Sequence, residues 1–572
     1  MLQIFIAWIY ISLLCWIWGY ALITLFTGAS GRDREKIPCF YIVCFAGLSV
    51  IAVLSGLLSL VIPLGGITAQ SILLIPALFI LGSSKMVRSV LFLSVKELAA
   101  RYHWATGLLA ISLLILLLIL GASLINHPDS MGYHLQTIKW IQEYRVIPGL
   151  VHINTQLGYQ GLWYCLCALF SFSFIHTTAV TFINTTVLAW YLLFLIHEIN
   201  KCLPTGKKAN TGKFSTGVLY FLLLAFSCWS YVQVRLTATS ASPDFIAALY
   251  VWLVFYLLFA NDDTKKRAPS LMLIFFICCT AITIKLSALP VVVVMAYTIY
   301  HLVQLKKRRA ILLLIIVAFI TITPFITRNI ITSGYIFFPS AFPDVVHADW
   351  KLSKELTVAE KKYITSFARI QHQVIKPAKP EPQHLPIPNW LPKWWQLRVF
   401  SDKLILFSLL SLLLLAAVTG KKIWKEANQT VIFSLILSVA ALIFWFLQAP
   451  DLRFGFGFIV PVQGILISFY SSGYLNSCKK GKAFFPYCLT VFSFVIISYT
   501  LYRVSNYFSS QYIVQAAGAQ KVVYRKINCG ILTITIPLNG GCGNAPLPCI
   551  YYNDCSHFSA RGNSITDGFR GN

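Results

Sequence analysis

NHPDSMGYHLQTIKWIQEYRVIPGLVHINTQLGY, residues 126–159, lies between two apolar runs and gathers the reactive side chains His127, Asp129, His134, Lys139, Glu143, Arg145 and His152. A carboxylate just outside a bilayer, followed by a helix lying on the surface, suits chemistry on a lipid-borne substrate. The plainer reading is that Asp129 caps a helix starting near Ser130, since Asp accepts hydrogen bonds from the first free backbone N–H groups. On this stretch alone both readings stand.

Outward from it, the chain is membrane-like. Its 572 residues are 58% hydrophobic and only 11% charged, where a soluble globular protein carries about a quarter charged residues. Many runs reach the ~20 apolar residues that a helix needs to cross a bilayer. The net charge of +27 does not indicate nucleic acid. Basic residues are scattered as short clusters between apolar runs, the orientation signal of membrane proteins, and no long basic stripe appears. The N-terminal run has no preceding Lys or Arg and no small-residue cleavage site, so it reads as a retained span.

Positive clusters at Arg32, Arg34 and Lys36, at Lys85 and Arg88, and at residues 306–309 and 479–482 belong on the cytoplasmic side, which puts both termini and residues 126–176 outside. The expected fold is an all-α polytopic membrane protein of about fourteen spans. External juxtamembrane helices and a small disulfide-tied β/loop tail complete it. Residues 1–104 hold N-terminal spans and an interfacial helix at 86–104. Residues 105–327 form a core of spans with the loop 126–176, in which 161–175 is too short to cross and is laid against the membrane. Residues 328–403 are an external segment, 404–502 the C-terminal spans, and 503–572 the external tail.

The external segment carries eleven Lys and Arg against six Asp and Glu from Arg328 to Lys403, and such a surface attracts anionic headgroups or lipid phosphates. Thr357 and Glu360 form a candidate capping box for a helix through Val374. Trp390, Trp394 and Trp395 are placed for the headgroup level. In the tail, residues 531–536 alternate as a strand does. Cys529, Cys542, Cys549 and Cys555 suit disulfides and allow three pairings. The tail reads as a stapled cap over the cavity more than as a recognition module.

The polar residues are one-sided. Asp129, His134, Arg235, Asp244, Lys285, Arg328, Asn329, Asp451 and Arg453 all fall at the external ends of spans. Charges there are costly and mark function, against the alternative that each long side chain merely snorkels at a helix end. A shared cavity with a carboxylate base and several cations fits transfer of a sugar from a phospholipid carrier. Asp129 would deprotonate the acceptor. Arg328, Lys285, Arg235 and Arg453 would stabilise the departing phosphate, with His127, His134, Lys139, Asp244 and Asn329 as further substrate-binding candidates.

These residues resemble the GT-C superfamily, polytopic glycosyltransferases that use polyprenyl-phosphate sugars. HPDSMGYHLQTIKWI followed by 161–175 looks like that group's first large external loop, PFITRNIITSGYIFFPS (324–340) is similar to its Pro–Arg-Asn–Gly-Tyr–Pro segment, and KLSALP (285–290) resembles its Lys-containing turn. The whole chain is also similar to an uncharacterised family of bacterial membrane proteins, through YHLQTIKWI, PGLVHINTQLGYQ and the tail CGNAPLPC…RGNSITDGFR. The resemblance implies a bacterial inner-membrane enzyme passing a hexosyl or pentosyl group to an envelope glycan, lipid or protein acceptor. Two features depart from the superfamily: about three spans precede the one that feeds the Asp loop, and that loop holds a single Asp, not an acidic pair. No metal is therefore expected to be required, although Asp129 with His134 would hold a divalent ion weakly. The competing functions are a transporter or flippase for a lipid-linked saccharide, a glycan polymerase, and a non-catalytic envelope-assembly protein.

Overall fold

Long apolar segments fold as helices because a helix satisfies its backbone N–H and C=O groups within one segment, with no partner strand, inside lipid. In the structure, a computed structural model that describes residues 1–28, 38–98, 102–125, 127–175, 181–203, 214–229, 236–260, 268–370, 387–477, 479–538, 540–552 and 554–572, every apolar run read as a span contains a helix. Among the described residues nine helices are long and apolar enough to cross a membrane, or ten if Ile67–Ser83 and Lys85–Leu98, which meet at 98°, form one broken span. Four apolar helices are shorter: Gly217–Cys228, Asp244–Ala260, Ala268–Ile284 and Tyr487–Arg503. The expected fourteen or so spans are thus not all met by length. Asp244–Ala260 and Ala268–Ile284 are buried along most of their lengths. A helix sheathed by other helices is apolar all round without having to match the lipid.

Close backbone packing joins the first two helices. Leu2–Thr27 and Phe40–Leu58 cross at Gly19 and Gly47, where a β-carbon on either would strike a carbonyl of the other, at Val43 and at Cys15. Small residues are what allow helices to approach so closely. Lys85–Leu98 turns sharply away from its neighbour with only Val87 and Val90 buried, the disposition expected of a helix that lies along a surface.

Residues 127–175 fold over one end of the bundle. The segment expected to lie against lipid forms the helix Leu162–Leu169, and all of its residues are buried in protein, against the Phe40–Leu58 and Leu135–Glu143 helices. The Arg308–Ser333 helix runs past the expected boundary at 327, so Arg328 and Asn329 lie inside it and not in a loop. The next helix starts at Lys354. Ser353 Oγ accepts the Leu356 N–H at 3.3 Å, and Thr357 Oγ1 bonds back to the Ser353 carbonyl, so the expected Thr357–Glu360 capping box is not formed. Trp390 and Trp394 are buried beside Phe446, and Trp394 Nε1 donates to the Pro450 carbonyl at 2.7 Å. Of the three tryptophans expected at the headgroup level, Trp395 is the exposed one.

The tail holds two antiparallel hairpins, β1 (Tyr524–Cys529) with β2 (Leu532–Pro537), and β3 (Phe558–Ala560) with β4 (Phe569–Gly571). Of the three pairings the structure has Cys529–Cys555 and Cys542–Cys549. Ile534, Ile536 and Phe569 pack on Trp140, Ile147 and Leu150, the Gly543 N–H donates to the Met131 carbonyl at 2.8 Å, and the Phe569 N–H to the Pro148 carbonyl at 3.0 Å. The tail therefore clamps the loop that carries Asp129.

Candidate functional site

Asp129 does not cap its helix. Its backbone is already helical, with φ −65° and ψ −27°, and its side chain accepts no capping hydrogen bond. His127 takes that place, its Nδ1 accepting the Asp129 N–H at 3.1 Å. The next turn, Ser130–His134, is wound as a π-helix, a local widening common at functional sites. The Asp129 carboxylate is left free to reach a distant partner, and Arg453 Nη1 donates to its Oδ2 at 2.9 Å.

Arg453 is the hub of an ion cluster. Its Nη1 also lies 3.5 Å from Asp244 Oδ2, and its Nε 3.5 Å from Asp451 Oδ2. Asp451 precedes the Leu452–Ser477 helix, and its Oδ1 accepts the Arg453 N–H at 3.1 Å, as an N-cap does. Asp244, the first residue of its helix, pairs with Lys285 as well. Lys285 stands between the Ala268–Ile284 helix and the Leu286–Val291 3-10 turn, and a β-carbon on Gly161 would lie 2.5 Å from the Ile284 carbonyl oxygen. Only glycine lets the loop sit this close to the lysine. Both cations lie over the Phe454 ring, at 4.2 Å for Lys285 and 4.9 Å for Arg453.

Asp129, Lys285 and Arg453 line a cavity of about 390 Å³. Tyr133, Tyr159 and Tyr164 add hydroxyls, Phe325, Phe444 and Phe458 add apolar surface, and Lys361 and Phe367 enter from the Lys354–Ile370 helix. Burial pushes the Asp129 carboxyl up, but the charges around it, that of Arg453 foremost, pull it further down, to below its ordinary value. It is a carboxylate at neutral pH. Burial also pushes His134 down to about 3, so this imidazole is neutral.

The other candidates are dispersed. His127 and His134 are buried and do not line the cavity, and His134 Nδ1 is 3.3 Å from Ser130 Oγ. Lys139 turns to the tail, donating to the Asn544 and Ala545 carbonyls at 3.3 and 3.1 Å. Arg328 is 2% exposed and meets neutral partners, with Nη1 donating to Ser59 Oγ at 2.7 Å and Nη2 to Gln160 Oε1. It brackets two helices and a loop behind the cavity and does not line it. Asn329 does line it, with Nδ2 donating to the Phe325 carbonyl at 2.9 Å. Arg235 lies outside the described residues. Among the described residues no group of three or more His, Cys, Asp or Glu side chains is placed to hold a metal ion, and none from the tail lines the cavity.

Some lining residues were not read from the sequence. Tyr133 stands four residues after Asp129, a spacing that puts both on one helix face, and this signal was available. Lys361 had none, because its place depends on how a separate helix docks. Glu360 decides that docking: it accepts from Thr155 Oγ1 at 2.8 Å and from the Tyr159 hydroxyl. Chemically, the cavity offers an ionised carboxylate, cations able to meet an anion, hydroxyls for a polar ligand and aromatic surface for an apolar one.

Comparison with curated proteins and with solved structures returned no match. A family model does match, over residues 1–460, a region that holds the whole ion cluster and leaves out the tail. The chain thus belongs to the family described as Domain of unknown function (DUF8201).

Proposed function

We propose that the chain is a membrane glycosyltransferase of the GT-C type, moving a sugar from a polyprenyl-phosphate donor to an envelope acceptor at the outer membrane face. The observation that supports it is the ionised Asp129 beside Arg453 and Lys285 on a cavity with apolar surface. In this reading an acceptor hydroxyl gives its proton to Asp129 as its oxygen bonds to the anomeric carbon. The bond from that carbon to the phosphate oxygen breaks, and its electron pair leaves with the polyprenyl phosphate. Lys285, Arg453 and Lys361 meet the charge that develops there, which charge-assisted hydrogen bonds stabilise. The phenylalanines receive the start of the lipid chain.

The test is turnover of a panel of polyprenyl-phosphate sugars by the purified chain and by Asp129→Asn. Loss of a general base lowers turnover by about 10²- to 10⁴-fold. Full activity in Asp129→Asn would remove the base assignment. Lipid movement across vesicles without product would replace transfer by transport.

A further inference from the structure

The Lys354–Ile370 helix borders a second concavity. Beside the catalytic cavity lies a groove of about 520 Å³ lined by Lys354, Lys361, Lys362 and Arg369. These residues recur at helical spacing along one face, with Val358 and Thr365 between them. Lys361 and Thr365 line both concavities, so the groove and the cavity share a wall.

Four cations on the groove outnumber its acid, although Asp344 also feels the charge of Lys354. Asp344, the acid on the groove, is bound by Lys351, and Glu360 is turned inward to Thr155 and Tyr159. Lys354, Lys361 and Lys362 make no ion pair among the described residues. Arg369 is fixed over the Trp390 ring at 4.9 Å, donates to the Leu447 carbonyl at 3.3 Å, and keeps a buried Nε with no partner. At the rim Phe342 is 81% exposed. Several unpaired cations call for a phosphate-type anion, and the exposed aromatic ring beside them suits the headgroup level of a bilayer.

We infer that this groove is a second substrate subsite, which binds the phosphate of an anionic phospholipid-type headgroup and leads it toward the cavity past Lys361. It rests on the reading that this end of the bundle works at a membrane surface. Bound there, a phosphate-bearing lipid would have its polar end beside the wall that Lys361 shares with Asp129's cavity.

The experiment reads binding, not turnover, so its result stands apart from that of sugar transfer. The full chain in a neutral detergent is titrated with short-chain phosphatidylglycerol and, separately, with inorganic phosphate, and bound ligand is counted by native mass spectrometry. Lys354→Gln/Lys362→Gln is compared with Glu355→Gln, on the same helix but off the groove. The double variant is expected to weaken lipid binding about tenfold, which is about 1.4 kcal/mol, with Glu355→Gln unchanged and phosphatidylcholine unbound. Equal binding by the native chain and the double variant, or binding of inorganic phosphate but not of the lipid, overturns the inference.

Discussion

Arg453→Gln removes the guanidinium from among three carboxylates. At the observed separations of 2.9 Å to Asp129 and 3.5 Å to Asp244, unit charges attract by about 5 kcal/mol each at an effective dielectric near 20. Most of this is cancelled by the water each group gives up. Breaking a fully buried pair costs about 3–5 kcal/mol and an exposed one at most about 1. The side chains of Arg453, Asp129 and Asp244 are 24%, 34% and 10% exposed, so the expected loss is intermediate, about 2–3 kcal/mol. The residual charge gives a sharper signature. With Arg453 gone, Asp129, Asp244 and Asp451 repel one another with Lys285 as the remaining cation, so Asp129→Asn should be less harmful in that background than in the native chain. Unfolding by sodium dodecyl sulfate in mixed micelles, followed by circular dichroism, gives the four corners of the cycle. A coupling of about 1–2 kcal/mol is expected, within the range seen for contacting charges. A loss below 1 kcal/mol for Arg453→Gln together with additive changes would refute the hub.

Three further outcomes can be measured. The His134 imidazole is held at about 3 against an ordinary 6.5, so the unfolded chain binds the extra proton between those values. Its contribution to stability is full above 6.5 and is lost as pH falls through that window, by at most about 1.4 kcal/mol per pH unit. His134→Asn should flatten this slope, and a pH profile identical to that of the native chain would contradict the assignment. Gly161→Ala should cost about 1–3 kcal/mol through its contact with the Ile284 carbonyl, detectable in the same unfolding assay; no loss would mean the loop does not press on the Lys285 turn. Cys529–Cys555 and Cys542–Cys549, separated by 26 and 7 residues, stabilise the tail by about 2–4 kcal/mol each through loop closure. Reductant should therefore speed proteolysis of residues 503–572 while leaving helical circular dichroism unchanged, and equal cleavage rates would count against the staple.

Much of the bundle was legible because helices announce themselves locally: apolar runs have to satisfy their own backbones, and basic clusters punctuate them. The span count was less legible. Sequence length does not say whether a short apolar helix faces lipid or is sheathed by protein, and Asp244–Ala260 is sheathed. The strand at residues 531–536 was readable from its alternation, but its partner Tyr524–Cys529, rich in polar residues, emerged from the hairpin pairing. The tail's expected place over the cavity did not hold. Its apolar residues found their complement in Trp140 and Leu150, and nothing local specifies that match.

The sequence by itself determined that this chain is a bundle of apolar helices and that Asp129, Asp244, Lys285, Arg328 and Arg453 fall near the ends of its apolar runs. Tertiary structure decided which of them meet. Asp129 and Arg453 are 324 residues apart, and Asp244 and Lys285 41. Arg328 and Arg453 look alike in sequence, each near one end of an apolar helix, yet one is a buried bracket on neutral oxygens and the other the centre of an ion cluster. The difference lies in how each helix is rotated about its axis, and that rotation is set by side-chain packing against neighbours far away in the chain.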